Sequence, residues 1–206
     1  GPYGFHIKVR GFWIDAHEVT IQEYAEFIKA IESLPEDMQN VYQHEDQPAD
    51  KTSHVPDDWP ALYTAAKESK TWNKHSMELY HPVVGVDWWD AYAYAEWKGR
   101  SLPSYDDWYA ACSATSDPSK LKGSGYLAVD KTEQTTIGIY GMAGNVSEWM
   151  REETLDPADP SAPPRYMVAG ASYLRPKYGA RAREWVDTRS LRRPDIGFRT
   201  CNNSRQ

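Results

Sequence analysis

The chain has 206 residues and a formal charge of -7, long enough for one fairly large domain or two small ones with a real core. That charge argues against a nucleic-acid backbone or an anionic membrane surface as the main partner, and no apolar run reaches transmembrane length, so no direct membrane insertion of this segment is expected. Nine Trp and fourteen Tyr against four Phe make the aromatic complement amphipathic, which suits recognition surfaces as well as cores.

The chain opens on Gly1 and Pro2, which resemble the scar of a removed tag, so the lack of a signal-like segment says nothing about targeting. Residues 5–9 and 12–14 are short β-prone runs around Gly11. A helix follows, with a capping box at Thr20 and Glu23, apolar residues at helical spacing (Ile21, Tyr24, Ala25, Phe27, Ile28, Ile31) and Pro35 as its stop. His17 and Glu18 precede the cap. A metal or acid–base role is one reading of them, but nothing with ligand spacing accompanies them.

Residues 36–80 are polar, with apolar anchors at Trp59, Leu62, Tyr63 and Trp72, and read as a long loop insertion with one short helix near 61–69. His44, His54, His75 and His81 are scattered there and read as surface residues rather than a zinc site. Residues 81–86 form a β-type lead into a helix capped by Asp87, carrying Trp88, Trp89, Ala91, Tyr92, Ala95 and Trp97 to a stop at Gly99. Ser104 and Asp107 propose a second capping box, opening a third helix with Trp108, Ala111 and Cys112 on the buried face.

From Gly123 onward the pattern is short β segments and loops, beginning with 126–129. In residues 137–150, IGIYGMAGNVSEWM, Gly141 and Gly144 flank an apolar step before Asn145, Val146, Glu148 and Trp149. Backbone carbonyls and the Glu148 carboxylate can converge there on calcium. The plainer alternative puts Asn145 in a left-handed turn, Glu148 in solvent and Trp149 in a core. A Pro-rich turn spans 157–164, a strand follows at 166–170, and arginine is crowded from Arg165 to Arg205. Helices early and strands late predict an α+β class.

Five ordered stretches, GFWIDAHEVTIQEYAEF, HPVVGVDWWDAYAYAEWKGRSLPSYDDW, YGMAGNVSEW, VAGASY and IGFR, resemble the formylglycine-generating enzyme (sulfatase-modifying factor) family across residues 5–201. The resemblance implies one loop-rich α+β domain over 1–206, a variant of the C-type lectin fold. Members that oxidise a sulfatase cysteine carry a cysteine pair between the two last motifs, which binds Cu(I) as thiolates. Here residues 171–183, ASYLRPKYGARAR, contain none, so copper is not expected. Cys112 and Cys201 resemble a structural disulfide of some members, which would imply an oxidising compartment and stabilise by about 4–5 kcal/mol in the loop-entropy model; two unrelated buried thiols are the alternative. Gly144, Val146 and Glu148 match family calcium positions, whereas Gly141 stands where a side-chain ligand would be.

Without the copper ligands the resemblance leaves a surface. Tyr173, Arg175, Lys177, Tyr178, Arg181, Arg183 and Trp185 are the residues expected to bind a small-molecule, peptide or glycan ligand, since Arg with Tyr or Trp suits carboxylates, phosphates and sugar rings. Alternatively, Arg181 and Arg183 hold the fold within a half-buried strand. The leading expectation is a non-catalytic binding or sensory domain, periplasmic or extracellular, such as that of a bacterial Ser/Thr kinase. The alternatives are an oxidative enzyme of the non-haem-iron or siderophore-maturation type, with His17, Glu18, His75 and His81 as raw material, and a retroelement-diversified variable protein.

Overall fold

The computed structural model describes residues 5–9, 11–114 and 117–203; Gly1, Pro2 and Arg205 lie outside them. Strands β1 (His6–Val9) and β2 (Phe12–Asp15) form an antiparallel hairpin. Helix α1 (Ile21–Glu32) starts at the expected box: Thr20 Oγ1 accepts from Glu23 N at 3.1 Å, and Glu23 Oε1 accepts from Thr20 N at 3.0 Å. Helix α2 (Trp59–Glu68) and the two-residue strands β3 (Thr71–Trp72) and β4 (His75–Ser76) follow. Helix α3 (Trp88–Trp97) carries a second box through Asp87 and Asp90, and α4 (Tyr105–Ser113) is capped by Ser104. The chain closes with β5 (Ser147–Thr154), β6 (Arg165–Ala169), β7 (Arg183–Val186), β8 (Ile196–Gly197) and β9 (Cys201–Asn203).

This is one mixed domain, as the α+β pattern predicts. One sheet runs β1-β2-β9, pairing strands from opposite ends of the chain, a second is the β3-β4 pair, and the largest runs β7-β6-β5-β8, antiparallel except between β5 and β8. The larger apolar cluster centres on Tyr24, Phe27, Tyr94 and Phe198, whose rings meet at 5.3–6.3 Å, mostly edge to face. The smaller lies between α4, β2 and the start of β5 and β6.

Three expectations change. Residues 36–80 are a docked flap rather than a decorated loop: Leu62 and Met77 are fully buried, and Tyr24 donates its hydroxyl to the His54 carbonyl at 2.7 Å. Of the histidines read as surface residues, His81 is buried just beyond the flap and His54 is half-buried within it against Asp90, and burial lowers the pKa of His81. Residues 126–129 form no strand, because side chains take their backbone and polar groups: Leu127 N donates to Asn145 Oδ1, and Tyr126 donates its hydroxyl to the Pro82 carbonyl. No bridge joins Cys112 and Cys201. Both are buried thiols in the smaller cluster, packing as small hydrophobes, and burial pushes each up to about 12, which denies them thiolate reactivity.

Candidate functional site

Trp149 is fully buried and Asn145 adopts φ 67°, as the plainer reading of 137–150 has it, but Glu148 is not in solvent. Its carboxylate is fully buried and accepts from Arg199 Nε and Nη2 and from Trp108 Nε1, each at 2.8 Å. Arg199 also donates to the carbonyls of Asp15 and Tyr140. In the calcium set Gly144, Val146 and Glu148, the carboxylate is the bidentate partner of a fully buried guanidinium, with which a cation there would compete. Among the described residues no group of three or more His, Cys, Asp or Glu is placed to hold a metal ion, so His17, Glu18, His75 and His81 are not brought together as an iron site.

Glu18 lies beside this pair, also fully buried. Asn145 Nδ2 donates to its Oε1 at 3.3 Å, and its Oε2 has no partner. The carboxyl occupies the space left by Gly141, where a Cβ would lie 2.2 Å from Oε1 and φ is +73°. Burial, opposed by Arg199 and reinforced by Glu148, raises the Glu18 pKa to about 8. The unfolded chain gives up this proton near 4.5 and the folded chain near 8, so unfolding releases a proton between those values and stability falls as pH rises through that window. Glu18→Gln should therefore raise the melting temperature at pH 8 relative to wild type while leaving it nearly unchanged at pH 4.5; equal shifts at both pH values would contradict a neutral Glu18.

In front of this core, residues 170–184 shape a groove of about 540 Å³. Its floor is Gly170 and Ser147, whose hydroxyl donates to the Gly170 carbonyl at 2.8 Å. Gly170 is required there: its φ is +80°, and a Cβ would come within 3.2 Å of the Trp108 ring. Arg175, Lys177, Tyr178, Arg181 and Arg183 line the walls with Glu184. Arg175 donates to Glu184 at 2.8 Å, and Arg193 joins from the opposite side at 2.9 Å; burial would raise the Glu184 pKa, but these two arginines hold it below its usual value. The other cations are less committed. Lys177 lies 4.8 Å from the Tyr178 ring, Arg183 lies 5.6 Å from the Tyr105 ring, and Arg181 is 3.8 Å from Asp117.

Five of the seven expected binding residues thus line one groove. Tyr173 does not: it stacks on Tyr126 at 5.2 Å and bonds the Pro194 carbonyl, closing the core edge. Trp185 shares the exposed face of β7 with Arg183 but lies outside the lining. Arg181 and Arg183 are exposed; the arginines that hold the fold are Arg193 and Arg199. Ser147 and Glu184 were missed, and for Glu184 the alternation of 183–186 was the available signal.

A profile of the sulfatase-modifying factor enzyme 1-like domain matches residues 5–136 and 121–204. The chain is 27% identical over 188 residues to serine/threonine-protein kinase Pkn1 of Chlamydia trachomatis serovar L2, a match covering 78% of this chain and 27% of the kinase. It is 30% identical over 169 residues to the formylglycine-generating enzyme of Streptomyces coelicolor, covering 60% of this chain and 53% of that one. The solved structure of CarF shares the fold, with a TM-score of 0.62 at 17% identity over 97% of this chain and 93% of CarF. The chain therefore spans only part of the curated relatives it matches.

Proposed function

Because the chain belongs to the sulfatase-modifying factor enzyme 1-like family and has its C-type-lectin-like fold, we propose that it is a non-catalytic binding domain whose 170–184 groove takes an anionic ligand. The observation that carries this reading is the groove's lining. Lys177 and Arg183 rest on aromatic rings rather than on carboxylates, so their charges stay available, and the described lining residues include no thiol or imidazole. Such a wall recognises carboxylates, phosphates or acidic sugars by charge-assisted hydrogen bonds and stacking. The match to part of a kinase favours a sensing role within a longer, extracytoplasmic protein. No helix among the described residues is long and apolar enough to cross a membrane.

Calorimetric titration with a panel of phosphorylated, carboxylated and sialylated probes tests this. The expected result is saturable binding of at least one anion, weakened ten-fold or more by Lys177→Glu or Arg181→Glu. Absence of binding across the panel, or stoichiometric copper or iron in the purified protein, would overturn it.

A further inference from the structure

A second cleft, of about 500 Å³, lies away from the groove, between the docked flap, α3 and β5. Its floor is aromatic: Trp88 and Tyr92 stack at 5.3 Å, and His44 meets Tyr92 edge-on at 4.7 Å. At one end the Arg189 guanidinium sits 4.2 Å from the Trp89 ring, 4.8 Å from Tyr166 and 5.0 Å from Trp88. This aromatic wall already accommodates an organic cation of the chain's own.

The rim has the opposite charge. Glu45, Asp46 and Glu96 come from the flap and α3, and Glu152 and Glu153 from β5; among the described residues none of the five makes an ion pair. Of the cleft's three arginines, Arg100 is committed to Asp15 at 2.7 Å and Arg189 to the rings, while Arg151 lies on the exposed side of β5, so five carboxylates face one uncommitted guanidinium. Glu152 accepts from Tyr105 N through Oε1, while its Oε2 is buried with no partner. An unsatisfied buried carboxylate oxygen is costly unless a donor reaches it. The volume is in the range of small-ligand sites, and a concave acidic wall concentrates cations.

We infer that this cleft binds an alkyl-ammonium or alkyl-guanidinium cation, its methylenes on Trp88, Tyr92 and Leu102 and its charged head at Glu152 and Glu153. The site is independent of the anion groove, so each succeeds or fails alone. Titration with spermidine, with a Lys-Gly-Lys-Gly-Lys peptide and with neutral 1,8-octanediol tests it by calorimetry. Spermidine or the peptide should bind saturably and the diol should not; a preference for the peptide identifies the cation as a side chain of a partner, a preference for spermidine as a free polyamine. Glu152→Gln, which keeps the side-chain shape, and the surface change Glu153→Gln should each weaken binding five-fold or more, while Glu36→Gln outside the cleft and Lys177→Glu in the groove should not. No saturable binding of either cation, or equal weakening by Glu36→Gln and Glu153→Gln, would overturn the inference as mere attraction to an acidic surface.

Discussion

Arg199→Met is expected to lower the melting temperature by roughly 10 °C or more. The substitution leaves the fully buried Glu148 carboxylate with Trp108 Nε1 as its remaining side-chain donor, and removing one partner of a buried pair costs about 3–5 kcal/mol, which for a domain of this size is about 2–4 °C per kcal/mol. The cost comes mainly from the stranded charge. Glu148→Gln combined with Arg199→Met should therefore lose much less than the two single variants added together, since contacting residues are not additive. A loss below about 1 kcal/mol for Arg199→Met, from thermal or urea melts, would mean that water reaches Glu148 and the ion pair does not hold this core.

Asp90→Ala ranks second. Asp90 is fully buried and gathers Lys51 at 2.8 Å, His54 at 3.0 Å and Arg192 at 2.8 Å. Burial would raise its pKa, but hydrogen bonding from His54 and the charges of Arg192 and Lys51 hold it at about 2. It also closes the α3 capping box by accepting from Asp87 N. Losing the hub should cost about 3 kcal/mol, toward the low end for a buried pair because the stranded Lys51 and Arg192 keep some contact with water. Hydrogen exchange should show where the loss falls: residues 44–58 exchange faster while β5 and β6 stay protected. Uniform loosening would show that the hub serves the whole core instead. Asp90→Asn, which keeps an acceptor for the Asp87 amide, should lose less than Asp90→Ala.

Both predictions concern residues that local pattern did not single out. Thr20 with Glu23, and Asp87 and Ser104 as helix caps, were legible because a cap lies within one turn of what it bonds, and the apolar spacing of α1 and α3 could be read for the same reason; that Asp90 completes a box with Asp87, and that Asp107 does not return the bond to Ser104, came from the structure. The basic string at 175–183 was marked as a surface by the family resemblance, and five of its residues do meet in one groove. Tyr173 and Trp185 were misplaced because periodicity cannot tell which face of an irregular segment the core will claim. Cys112 and Cys201 share one cluster as free thiols, and the spacing of two cysteines along the chain does not say whether they bond.

The sequence alone determined the helix starts, the α+β class, the family resemblance and the charge character of the groove, all of which rest on neighbours along the chain or on ordered motifs. Only the tertiary structure decided that Glu148 belongs to Arg199, 51 residues away, that Asp15 belongs to Thr200, 185 residues away, and that Glu18 is buried against Gly141. The reason is physical. A buried charge takes whichever partner the fold brings within hydrogen-bond reach, and that partner carries no mark in the local sequence.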